Sequence, residues 1–198
     1  SCNVAEIAII FIAALAGWTT PLTPIQLLWL NLLTDGAPAL ALAAEKGDPD
    51  VMQQRPRPKH EPIINRLMII RIAVITVALT AVVLTAYQIG LRVSIQLAET
   101  MSFATLALAE LPIAYTSRSE RYPLYRLGLF TNKWMQRAVL LSLVLVLAVI
   151  LIPFLNEPFN TIPLTIEQWL FILPLAFIPA AVAEITKFFV RRSERRGA

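Results

Sequence analysis

Apolar residues recur in six blocks along the chain, roughly Asn3 to Trp18, Ile25 to Ala44, Leu67 to Gly90, Glu99 to Thr116, Trp134 to Leu155 and Glu167 to Val190. Each is close to the about 20 residues that a helix needs to cross roughly 30 Å of hydrocarbon. Stretches such as Ala138 to Ile152 carry no charge on any helical face, whereas a soluble bundle needs polar outer faces. The pattern predicts an all-α, polytopic membrane protein with six transmembrane helices, and the lipid bilayer as its partner.

The polar punctuation orients these blocks. Of the 17 Lys and Arg, only Arg92 lies in the connections after the first, third and fifth blocks. The rest fall between Lys46 and Arg71, between Arg118 and Arg137, and in the tail from Lys187 to Arg196. By the positive-inside tendency those three segments face the cytoplasm, the C-terminus included. The formal net charge of +4 then needs no nucleic acid to explain it. The outer connections, Thr19 to Pro24, Leu91 to Ala98 and Asn156 to Thr165, are short, and no external domain is expected. The inner connection from Glu45 to Asn65 holds Pro49, Pro56, Pro58 and Pro62 among charges, which predicts an extended strap on the membrane surface. A first span opening at Ser1 with polar Asn3 and Glu6 in its first turns reads as a helix that continues upstream.

Composition agrees, with 57% hydrophobic and 15% charged residues and a mean hydropathy of +0.67. The single cysteine, Cys2, makes no internal disulfide and is expected to be a small buried residue. Trp18, Trp134 and Trp169 are placed as interfacial belt residues and Trp29 as a deeper packing residue.

Ionisable side chains inside a span cost several kcal/mol, about 3 for Asp at the centre, so each requires a reason. Glu6, Asp35 and Glu110 stand out. Glu6 shares a helix face with Asn3, and Asp35 shares one with Asn31 and adjoins Thr34. Arg71, the one basic candidate at depth, is about a turn inside its span and can snorkel to the interface. The carboxylates therefore await protons, a cation, or both in alternation. Oxygen ligands from Asn, Glu, Thr and Asp suit a hard cation such as Ca²⁺, with Mn²⁺ also compatible, whereas Zn²⁺ or Cu⁺ favours Cys and His. The only His, His60, lies in the strap. Gly36, Ala37 and Pro38 directly after Asp35 predict an interrupted helix whose freed carbonyls line a cavity. The competing reading is interhelical hydrogen bonding without an ion. Glu184 with Lys187 is expected to be an exposed ion pair, and Glu99 and Glu157 to be solvated at the outer ends.

The run Asn31-Leu32-Leu33-Thr34-Asp35-Gly36-Ala37-Pro38-Ala39 resembles the sixth-helix motif, N-L-x-T-D-G-x-P-A, of P-type calcium-transporting ATPases of the sarco/endoplasmic reticulum type. Ser1 to Glu6 is similar to the middle of their fifth helix, and Asp48 to Met52, Arg55 to Arg57 and Glu61 to Ile64 to their strap. The resemblance implies that residues 1–198 are the C-terminal membrane domain of a pump, its fifth to tenth helices, in a bacterial plasma membrane. It implies one calcium site from Asn3, Glu6, Thr34, Asp35 and Glu110, and part of a second from Asn31 and Asp35, with Asp35 bridging both ions. The rest of the second site would come from a fourth helix outside these residues. Glu6 favours two ions, and the implied cycle moves Ca²⁺ out of the cytoplasm with H⁺ carried back. No D-K-T-G phosphorylation motif occurs here, so ATP and Mg²⁺ would act only through the missing N-terminal part of the pump. Alternatives from other classes are a stand-alone six-span binding or regulatory module without ATPase activity, and a passive channel or secondary transporter.

Overall fold

The computed structural model describes residues 1–45, 47, 52, 64, 66–119 and 122–197, with the side chains of all of these except 67 and 189–197. The strap predicted from Glu45 to Asn65 falls largely outside the described residues.

Helix α1, Cys2–Leu15, is apolar and 14 residues long. At about 1.5 Å per residue it covers roughly 21 Å, short of a full hydrocarbon crossing. It ends because Gly17 takes a left-handed φ of +68°, which lets Gly17 N–H reach the Ala14 carbonyl (3.1 Å) and Trp18 N–H the Ala13 carbonyl (2.9 Å). The next turn is pinned to helix α4, Arg66–Leu91, through Tyr87, whose hydroxyl donates to the Thr19 carbonyl (2.8 Å) and whose ring lies 5.9 Å from Trp18.

The second predicted block is a single rod, Pro24–Ala43, made of three pieces. Helix α2, Pro24–Trp29, opens with a reciprocal cap between Thr23 and Gln26 and with proline at its first position. A π-helical segment, Leu30–Thr34, follows, with Asp35 N–H bonded to the Leu30 carbonyl (2.9 Å), and helix α3, Gly36–Ala43, resumes beyond Asp35. The predicted interruption is thus present, centred on the residues before Gly36.

Helices α4, Arg66–Leu91, and α5, Ile95–Thr116, form a tight hairpin. Gly90 is required there: a Cβ on it would meet Ala98 Cα at 2.5 Å. A short helix α6, Leu124–Leu127, precedes α7, Lys133–Leu151, which is capped by the Asn132 side chain. The predicted fifth span to Leu155 is too long by four residues. The chain is extended at Ile152 because Pro153 follows, and Pro153 starts helix α8, Pro153–Phe159, which takes up the end of the predicted span and the start of the connection expected from Asn156 to Thr165. Helix α9, Ile166–Gly197, extends past the predicted Val190.

Among the described residues five helices are long and apolar enough to cross a membrane: the Pro24–Ala43 rod, Met68–Leu91, Ile95–Thr116, Lys133–Leu151 and Ile166–Phe188. Helix α5 is the central element, with α4, α7 and α9 packed around it. Its span is 89% buried, against 28% for α4 and α9. No β-strand occurs among the described residues.

Two further expectations are corrected. Glu99 is only 8% exposed and accepts from Asn160 Nδ2 (2.5 Å), because the turn that ends α8 folds over the start of α5. Glu184 and Lys187 do pair (2.8 Å), but Lys187 is 2% exposed and also donates to the Thr116 carbonyl. Arg71 Nη2 donates to the same carbonyl (3.1 Å), so two cations sit at the C-terminal end of α5, where the helix dipole favours positive charge. At that face Arg118 grips Glu45 with both Nε (2.8 Å) and Nη2 (2.9 Å), and Asn132 Nδ2 donates to the same carboxylate, tying the end of α3 to the α5–α7 connection.

Candidate cation site

Three elements supply the polar cluster: α1 brings Cys2, Asn3 and Glu6, the π segment and its end bring Asn31, Thr34 and Asp35, and α5 brings Glu110. Asn31 joins the first two. Its Oδ1 accepts from Asn3 Nδ2 (2.7 Å), and its Nδ2 donates to Glu6 Oε2 (2.8 Å) and to the Leu27 carbonyl (2.9 Å). Four residues on, the Asp35 carboxylate faces α5, where a carboxylate oxygen of Asp35, one of Glu110 and the Cys2 sulfur all lie within 4.8 Å of one another. Two ionised carboxylates within that distance repel by at least about 3.5 kcal/mol at an effective dielectric constant near 20, which favours a shared cation or proton between them.

Burial sharpens the point. Glu6 is 6% exposed and Glu110 is 3% exposed. Glu6 Oε1 and both Glu110 carboxylate oxygens have no hydrogen-bond partner among the described residues. Buried acceptors without donors cost about 1–3 kcal/mol each, and they are what a hard, oxygen-seeking cation satisfies. All six residues singled out in the sequence therefore lie on the three elements that meet at this cluster. Thr34 is the one whose hydroxyl proton is already engaged, donating to the Leu30 carbonyl of its own segment (2.7 Å).

Two neighbours escaped the sequence reading. Cys2 was assigned to packing, although it stands four residues before Glu6 and hence on the same helical face. Ser142 is fully buried on α7 and donates to the Thr34 carbonyl (3.0 Å). Pro38 stands four residues beyond Thr34 and has no N–H, so that carbonyl needs another donor. The signal was legible: Ser142 is the only polar residue between Ala138 and Ile152.

Fold and site together define an integral, multi-pass membrane protein with an acidic cluster buried between its helices. The family described as "Cation transporting ATPase, C-terminus" matches residues 19–189, and the chain belongs to that family. Among curated proteins it is 35% identical to Calcium-transporting ATPase 1 of Bacillus cereus over 204 residues, covering 94% of this chain and 23% of that protein. It is 35% identical to the Calcium-transporting ATPase of Bacillus subtilis over 180 residues, 89% of this chain and 20% of that protein. It is 29% identical to the endoplasmic reticulum calcium ATPase srcA of Aspergillus fumigatus over 225 residues, 97% of this chain and 23% of that protein. The chain thus spans about a fifth to a quarter of the length of these relatives.

Proposed function

We propose that residues 1–198 form the cation-binding C-terminal membrane domain of an ATP-driven calcium pump, with phosphorylation, nucleotide-binding and actuator domains outside these residues. The observation that carries the reading is the close approach of Asp35 and Glu110 from two elements, with Glu6 of a third joined to the Asp35 segment through Asn31, and with Glu6 and Glu110 oxygens that have no hydrogen-bond partner among the described residues. The relatives, described as calcium-transporting ATPases, support Ca²⁺ as the transported ion, and the oxygen ligand set accommodates Mn²⁺ as well.

In this scheme Glu6, Asp35 and Glu110 bind Ca²⁺ from the cytoplasm, with Asn3, Asn31 and Thr34 supplying neutral oxygens. Rotation of the Asn31 amide would release Glu6 Oε2 and present Asn31 Oδ1 to the ion, exchanging the hydrogen-bonded chain for metal ligation. Ion release outward leaves the buried carboxylates to be neutralised by protons, which gives H⁺ counter-transport. The distribution of Lys and Arg supports a cytoplasmic C-terminus, and the bacterial relatives support a bacterial plasma membrane. The test is Asp35→Asn in the intact pump, which is expected to abolish Ca²⁺-dependent phosphorylation from ATP; normal activation by Ca²⁺ would sink the proposal.

A further inference from the structure

The Cys2 sulfur enters the cluster that the hard-cation reading leaves to oxygen. With one carboxylate oxygen each from Asp35 and Glu110 it makes a set of three potential ligand atoms within 4.8 Å of one another, from three different elements. We propose that this set forms a second mode of the cation site, one that takes a thiophilic divalent cation of the Zn²⁺ type in competition with Ca²⁺. The proposal rests on the reading that Asp35 and Glu110 face a cation.

The geometry is close to what such an ion needs. Zn²⁺ holds sulfur at about 2.3 Å and carboxylate oxygen at about 2.0–2.2 Å, so two of its ligands are never more than roughly 4.5 Å apart. Tetrahedral ligation sets these atoms about 3.5–3.8 Å apart, a spacing inside the 4.8 Å limit of the trio, in the arrangement of three protein ligands and one open position that zinc adopts at exchangeable sites. Glu110 points independently to a ligand: it is 3% exposed and neither of its oxygens has a hydrogen-bond partner among the described residues. Ligation would deprotonate the thiol, its proton leaving to solvent; the thiolate and one carboxylate then balance the two charges of the metal, and the other carboxyl group keeps its proton and ligates through its carbonyl oxygen.

The consequence is selectivity. Ca²⁺ takes oxygen ligands almost exclusively, so sulfur adds little to its affinity, whereas a soft donor strengthens the site for Zn²⁺. A packing role for Cys2 predicts no such asymmetry.

The experiment uses the intact pump in membrane vesicles, with Zn²⁺ titrated against Ca²⁺-dependent phosphorylation in parent and Cys2→Ser. The ratio of half-inhibiting Zn²⁺ to half-activating Ca²⁺ is expected to rise at least about tenfold, the low end of what even an outer-shell change costs a metal site. An unchanged ratio overturns the proposal. Should Cys2→Ser fail to reach the membrane, Co²⁺ added to the purified parent pump decides the matter. A thiolate-to-cobalt charge-transfer band displaced by excess Ca²⁺ is expected, and absence of a Ca²⁺-displaceable band overturns the idea. If the parent pump is not activated by Ca²⁺ at all, the proposed function fails; titration of the cobalt band with Zn²⁺, and its loss in Cys2→Ser, still decides the role of Cys2.

Discussion

Replacing Glu110 with leucine should make the protein more stable and useless for calcium at once. Glu110 is 3% exposed in the C-terminal half of α5, and its two carboxylate oxygens have no partner among the described residues. A buried polar atom without a partner costs about 1–3 kcal/mol, and an acidic side chain mid-membrane costs a similar amount on insertion scales. Leucine fills nearly the same space without that penalty, so the calcium-free intact pump should gain about 2–3 kcal/mol. The assay is thermal unfolding of the detergent-solubilised pump, once in chelator and once with Ca²⁺. At about 100 times its dissociation constant Ca²⁺ stabilises the parent by about 2.7 kcal/mol, and the variant, lacking a ligand, should gain nothing. The two proteins should therefore differ in chelator and nearly coincide in Ca²⁺. A Glu110→Leu pump less stable than its parent in chelator would refute the reasoning, since it would mean that the carboxyl group is held by favourable interactions in the calcium-free state.

Ser142→Ala removes the hydroxyl that donates to the Thr34 carbonyl, leaving a buried acceptor bare at a cost of about 1–3 kcal/mol. It should raise the Ca²⁺ concentration for half-maximal phosphorylation, and Ser142→Thr should restore it. Gly90→Ala would set a Cβ 2.5 Å from Ala98 Cα and 2.8 Å from its nitrogen, both backbone atoms. Carbon atoms prefer about 3.5–4.0 Å, so α4 and α5 must part by about an ångström, at an overpacking cost of about 1–3 kcal/mol seen as a lowered unfolding temperature. Gly36→Ala, whose Cβ meets only the Asn31 carbonyl oxygen at 4.0 Å, serves as the stability comparator.

What could be read from the sequence follows a physical division. Helices whose apolar runs face lipid were visible in composition, as were the carboxylates, because charge in a span has few explanations. The break beside Asp35 was foreseeable from Gly36 and Pro38, but its π-helical form depends on how Asn31 and Thr34 are engaged across the helices. Glu99 and Lys187 were misplaced for the same reason: depth along one helix is written locally, whereas burial is decided by distant segments, α8 for Glu99 and the end of α5 for Lys187. Helix α8 itself was hidden because Pro153 both ends one helix and opens the next. Cys2 was passed over because a lone cysteine carries no pairing pattern, and only the fold sets it beside Asp35 and Glu110.

The enclosure of α5 bears on how such a protein is made. Its Thr100, Ser102, Thr105 and Glu110 are tolerable only because neighbours screen them from lipid, and one of those neighbours, α9, is the last of the long helices in chain order. During synthesis α5 must therefore wait, half sheltered by α4, until α9 has been made and closes around it. Membrane insertion of these helices is accordingly a concerted event, and a chain stopped before α9 would leave the polar side chains of α5 facing hydrocarbon, marked for proteolysis.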